Sequence, residues 1–237
     1  MSRGLGDVYK RQTERFLSFD NRGYEQELVT GRPGATVSLG LNRFIWDMRY
    51  PSVPAIPGVP PVLIKPIAKP GTYQVRLTVD GKSLTESFEL KLNPNESYTR
   101  VQTDAKAEAW MALYAKAEEG VQTVLRAQAA QADAAKIIES SAASAELKAQ
   151  AEAVNQLSAD FIKSMLATGR TLVQIISEPT RPMSKLVTLH NIMEHSEGPP
   201  NQPWLQVYEK TAAEIDARIE EFNLALASEV EKLEALN

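Results

Sequence analysis

The sequence predicts an α+β chain: an antiparallel β-sandwich over residues 13–95, followed by an antiparallel α-helical bundle over residues 96–237. Three observations carry this reading. Apolar residues alternate on both sides of Asp80-Gly81, with Tyr73, Val75, Leu77 and Val79 before it and Leu84, Phe88, Leu90 and Leu92 after it. A second alternation runs through Leu41–Pro51, where Phe44, Trp46, Met48 and Tyr50 fall on one side and Arg43, Ile45, Asp47 and Arg49 on the other. From about Glu96 the apolar period changes from two to three and four, and proline is absent until Pro179. A period of two belongs to strands with one covered face, and a period near 3.6 to amphipathic helices.

Taken in order, Thr13–Phe19 alternates weakly, and Asp20-Asn21-Arg22-Gly23 is turn chemistry leading into Tyr24–Val29. Gly31-Arg32-Pro33-Gly34 punctuates again before Ala35–Leu39. Leu41–Tyr50 is expected to be the organising strand, with Pro51 ending it because proline cannot donate to a ladder. Residues 51–61 hold five prolines, which predicts an extended, irregular connection. Asp80-Gly81 suits a type I′ turn, since both central positions of that turn need positive φ, so residues 73–92 are expected to be a β-hairpin. Glu86 is the one exception to its alternation.

Three long helices and one short helix are expected beyond residue 96. Val101, Trp110, Tyr114, Val121, Leu125 and Ile138 mark the first, whose second half is rich in alanine. Ser144 is a candidate cap for the second, with Leu147, Ala151, Val154, Leu157, Phe161, Met165, Leu172 and Ile175 on its apolar face. Pro179 and Pro182 stop it, and Met183–His195 reads as the short helix. In the last, Leu205, Tyr208, Ala212, Ile215, Ile219, Phe222, Leu226, Val230 and Leu233 follow steps of three and four with one slip, the seam of an antiparallel bundle or coiled coil.

The chain has 237 residues, 24% of them charged, with a formal net charge of -4. That balance gives no basic footprint for nucleic acid, so no nucleic-acid partner is expected. Cysteine is absent, which excludes disulfides, thiol catalysis and thiolate metal sites. No run of about 18 apolar residues exists, so no membrane span is expected. Met1–Gln12 resembles translated sequencing-adaptor read-through, or else is a disordered tail, and is not expected to contribute to the fold. On the first reading the native chain begins upstream, and the missing signal peptide says nothing about export.

The run Gly40–Pro51, the run Pro70–Gly81 and the later Asn93-Pro94 together resemble the C-terminal region of large bacterial proteins with BNR (Asp-box) repeats, of the sortilin-like or glycosyl-hydrolase-like type. The resemblance is specific over residues 13–95 and general beyond them. It implies an Ig-like form for the sandwich, an upstream β-propeller domain of the same protein as partner, and a secreted or periplasmic location. No Asp-box motif occurs in this chain, which agrees with the propeller lying upstream.

No residue set reads as a catalytic site, and no cofactor or metal is expected. His190 and His195 stand five residues apart, about 140° around a helix, unlike the i, i+4 pair of a zinc helix. Adjacent carboxylates such as Glu118 and Glu119, or Glu220 and Glu221, diverge on a helix and do not converge across a cleft. The residues assigned to ligand or partner binding are Arg43, Asp47, Arg49 and Trp204. Arg43, Asp47 and Arg49 fit a recognition face for a glycan or the propeller; they also fit cross-sheet pairing with Arg76 and Glu89, the preferred reading. Trp46, Tyr50, Tyr73 and Phe88 fit a sugar-stacking platform, or a buried core, again the preferred reading. Trp204 either anchors the last helix in a groove or is exposed for a partner. The functional expectation is a non-catalytic structural and interaction module, with homo-oligomerisation through the helices as a further option. The alternative is an accessory substrate-binding part of an extracellular hydrolase acting on glycans or peptides.

Overall fold

The computed structural model describes residues 6–10, 16–19, 40–59, 64–95, 97–167 and 181–236, the first two segments as backbone. Four strands and four helices follow in order: β1 (Gly6–Lys10), β2 (Phe16–Phe19), β3 (Gly71–Val79), β4 (Lys82–Leu90), α1 (Arg100–Glu139), α2 (Ala145–Met165), α3 (Pro182–His195) and α4 (Gln202–Ala235). The fold is mainly helical α+β. The chain divides into two compact units, one of residues 1–55, 61–114 and 193–200, the other of 56–60, 115–192 and 201–237.

The first unit is built on the β3–β4 hairpin, formed as its sequence predicts. Asp80 and Gly81 take φ values of 48° and 79°, the left-handed pair that a type I′ turn requires. The register follows, with Tyr73 opposite Phe88, Leu77 opposite Leu84 and Val79 opposite Lys82. Among the described residues the sheet is single and antiparallel, in the order β2-β1-β3-β4, with β3–β4 its long pair. β1 falls within the N-terminal segment set aside in the sequence reading, and its backbone pairs with β3 at Val8–Val75.

The expected Ig-like β-sandwich is not formed: there is one sheet and no second sheet facing it among the described residues. The main reason lies in Leu41–Pro51, which is irregular backbone and not a strand. Met48 adopts φ of 60°, and the Asp47 carboxylate accepts a hydrogen bond from the Arg49 amide at 3.0 Å. A left-handed residue and a local side-chain turn both break the two-residue alternation. What remains is an isolated antiparallel bridge between Arg49 and Ile67. The expected strands at Tyr24–Val29 and Ala35–Leu39 lie outside the described residues.

The aromatic quartet does assemble, as packing. Trp46 lies 5.4 Å from Tyr73 and 6.0 Å from Phe88, and Tyr73 and Phe88 stack at 5.9 Å. Tyr50, Ala68 and Tyr73 are buried, with Trp46, Leu90 and Met111 packed against them. The Trp46 indole donates to the Arg49 carbonyl at 3.0 Å, and the Tyr73 hydroxyl to the Lys69 carbonyl at 2.6 Å. Trp46 and Tyr73 thus pack their rings while their polar atoms find partners; Phe88 stays 36% exposed.

In the second unit, Ser144 caps α2 by accepting from the Leu147 amide, and Asn201 caps α4 by accepting from the Trp204 amide. Pro182 begins α3, a position where its missing N–H costs nothing. Ala151, Val154, Phe161 and Met165 of α2 are buried, as their spacing predicts, together with Ile215, Ile219 and Phe222 of α4. Phe161 and Phe222 stack at 4.2 Å. Ala134 and Ala151 meet Leu226 and Leu233 in the alanine-rich part of the unit. Val101, expected on the buried face of α1, is exposed. Leu172 and Ile175 lie outside the described residues.

Gly81 holds positive φ with nothing near its absent Cβ, so Gly81→Ala tests backbone strain alone. Its expected cost is about 1–2 kcal/mol in denaturant unfolding.

Candidate functional site

Two surfaces of the first unit are candidates, and both grow from the hairpin. On one face of β3–β4 the register aligns Tyr73, Val75, Leu77 and Val79 with Phe88, Glu86, Leu84 and Lys82. The base of this face is covered by Trp46 and its neighbours. Toward the turn it is open, with Val75 39%, Leu77 43%, Val79 37% and Leu84 62% exposed. The opposite face is polar: Thr78 and Ser83 share a hydrogen bond of 2.8 Å, and Gln74 donates to Ser87 at 3.5 Å.

The second surface is a cleft of about 600 Å³ beyond the base of the hairpin. It is lined by Lys69-Pro70 and Leu90–Leu92, by Ala107 and Trp110 of α1, and by Tyr98, Glu194 and Ser196–Gly198. Gly198 is required there: its φ is 84°, and a Cβ would stand 2.7 Å from the Tyr98 ring. The Lys106 ammonium donates to the Ser196 carbonyl at 2.7 Å and sits 5.6 Å from the Trp110 ring centre. Lys69 lies 3.8 Å from the Asp104 carboxylate, which also accepts from Arg100 at 3.0 Å. These cations are held in internal pairs, which shape the walls. Lys91 and Glu197 are exposed along the cleft, where a bound molecule would meet charge of both signs.

Arg49 is placed in this neighbourhood. Its guanidinium donates to the Lys65 carbonyl at 3.0 Å and to the Glu194 carboxylate at 2.5 Å. Glu194, 145 positions away in the chain, lines the cleft. The expected cross-sheet pairing of Arg43, Asp47 and Arg49 with Arg76 and Glu89 cannot arise as read, because Leu41–Pro51 is not a strand of the sheet. Arg43 is exposed, and Asp47 is spent on the local turn at Arg49. Trp204 belongs to the other unit and is 5% exposed. Its indole donates to the Leu189 carbonyl at 3.0 Å, and its ring stacks on Tyr208 at 5.5 Å. It anchors the start of α4 and is not presented to a partner.

His190 is buried and His195 exposed, and among the described residues no group of three or more His, Asp or Glu is arranged to hold a metal ion. Lys106, Tyr98 and Gly198 were not identified from sequence. Only the Gly198-Pro199-Pro200 break hinted at a special backbone position, and nothing local connects it to Tyr98.

Burial pushes the Tyr73 phenol up from its ordinary 10.0 to about 12, although the Arg100 guanidinium pulls it down. The fold therefore favours the neutral phenol. That contribution is complete below pH 10 and is lost as pH rises through about 12. A spectrophotometric difference titration of wild type against Tyr73→Phe should show one phenol ionising near the upper value; a midpoint at 10 contradicts the burial. For Arg49 and Glu194, both partly exposed, a double-mutant cycle with alanine should return a coupling of about 1 kcal/mol.

Compared with models of known protein families, with curated proteins and with solved structures, the chain matches none.

Proposed function

We propose that the chain is a non-catalytic structural and interaction module, and that the open half of the hairpin face is its contact surface. The observation supporting this is the contiguous row of exposed Val75, Leu77, Val79 and Leu84, which continues into the 36% exposed Phe88 beside the buried Tyr73. Exposed apolar patches beside charged rims mark surfaces that another protein covers. The partner proposed is an upstream β-propeller domain of the same protein, following the resemblance carried by residues 40–51 and 70–94, with a secreted or periplasmic setting.

The cleft motivates a second reading, an accessory part of an extracellular hydrolase that holds a glycan or peptide substrate. Its mixed lining of Lys91, Glu197 and apolar wall atoms suits a polar ligand with an apolar side. On this reading a substitution at Lys91 affects binding and one at Leu77 does not.

The two are separated by calorimetric titration against a separately produced Asp-box β-propeller domain. Leu77→Asp is expected to weaken binding by about 10-fold or more, the scale of losing one buried leucine contact, with Lys91→Glu close to wild type. Binding unchanged by Leu77→Asp, or absent in the wild type, overturns the proposed contact. Glycan- or peptide-array binding that Lys91→Glu abolishes and Leu77→Asp leaves intact favours the second reading.

A further inference from the structure

The hairpin also has an edge, and the chemistry of that edge is separate from that of its face. Among the described residues β4 is the last strand of the sheet, and Lys82–Glu89 are exposed throughout. Because a two-residue turn connects Val79 to Lys82, these two close the hairpin as a hydrogen-bonded pair. Hydrogen-bonded and non-hydrogen-bonded pairs then alternate, so Lys82, Leu84, Glu86 and Phe88 aim their backbone groups at β3. Ser83, Thr85, Ser87 and Glu89 aim theirs at the open side. A regular strand presenting that row of donors and acceptors is a template for another strand.

Charges on an edge strand usually guard it against pairing. Here the apolar face of the edge carries two, Lys82 and Glu86, of opposite sign and four residues apart around Leu84. Glu86 is the residue that broke the apolar alternation. In an antiparallel pair of two identical strands, residues equidistant from the centre oppose each other, so the position of the centre decides whether these charges repel or attract.

We propose that β4 pairs antiparallel with β4 of a second copy of this chain, in the register centred on Leu84. Lys82 then faces the second copy's Glu86 at both ends of a five-residue overlap, and Leu84 faces Leu84. Ser83 faces Thr85, and these two positions in each copy supply the main-chain hydrogen bonds, since their groups point outward. On the apolar face, Leu77 and Leu84 of one copy continue into Leu84 and Leu77 of the other. A register centred on Glu86 overlaps more residues but sets Glu86 against Glu86, and one centred on Ser87 leaves Lys82 outside the overlap. Like charges directly opposite are unfavourable and opposite charges favourable, so the charge pattern selects Leu84 as the centre. Five residues per copy make a small interface, so the dimer is weak, with a Kd on the order of 10–100 µM. The edge pairing is independent of what covers the face.

Absence of cysteine makes the register directly readable. At a non-hydrogen-bonded antiparallel position the two Cα atoms stand about 4.5 Å apart, within disulfide range. Single variants Leu84→Cys and Ser87→Cys leave both Lys82 and Glu86 in place, so under mild oxidation they report the register that the charges select. Leu84→Cys is expected to cross-link about 10-fold faster than Ser87→Cys. In sedimentation measurements without cysteine, Lys82→Glu and Glu86→Lys should each weaken self-association by about 10-fold, and the double swap should restore it. Faster cross-linking at Ser87 than at Leu84, a swap that does not restore association, or a monomer into the high micromolar range overturns the proposal. None of these outcomes bears on the Leu77 test of the face.

Discussion

The first unit depends on how residues 46–50 are fixed. Met48 turns the backbone through the left-handed region, which frees Trp46 and Tyr50 to reach the base of the hairpin together instead of lying along a strand. The turn is secured on both sides. The Asp47 carboxylate holds the Arg49 amide, the Tyr50 amide donates to the Pro66 carbonyl at 2.9 Å, and the Ala68 amide donates to the Met48 carbonyl at 2.7 Å. Arg49 then extends to Lys65 and Glu194, so one side chain ties the aromatic base to the wall of the cleft. A left-handed methionine is costly by itself and persists because these surrounding bonds determine it.

What the sequence made legible follows from the range of the interactions concerned. The hairpin is specified by residues next to one another, with Asp80-Gly81 setting the turn and the alternation setting the register. The helices are specified over a few turns, and the caps at Ser144 and Asn201 are local as well, although only Ser144 was identified in advance. Leu41–Pro51 misled because alternation describes a strand only where a neighbouring strand pairs with it. The same alternating aromatics are satisfied by packing around an irregular turn, and no periodicity distinguishes the two. Arg49 was singled out from the sequence, but its partner was not, since Glu194 is brought to it only by the tertiary fold. Trp204 is mixed: Tyr208, which its ring stacks on, is one turn along the same helix, while Leu189, which its indole bonds, is 15 positions away on α3.

The two candidate surfaces differ in how their polar groups are committed. Around the cleft, Lys69, Lys106 and Arg49 serve internal carboxylates or carbonyls, so the walls are built by pairs that hold their own geometry. The apolar side chains of the open half of the hairpin are exposed, and its edge offers outward backbone groups among the described residues. A surface with unspent apolar area and unspent hydrogen-bonding capacity is suited to association, which is why the interaction reading rests on the hairpin and the ligand reading on the cleft.

The central claim is that Arg49, through Glu194, fixes the turn on which this unit is built. Native-state hydrogen exchange of the Tyr50 and Ala68 amides, compared between wild type and Glu194→Gln, measures it directly. The account predicts that both amides lose about 5-fold of their protection, the scale of a coupling near ~1 kcal/mol, while the β3–β4 amides keep theirs. Equal protection in the two proteins would show that the turn holds without the ion pair and would contradict the account.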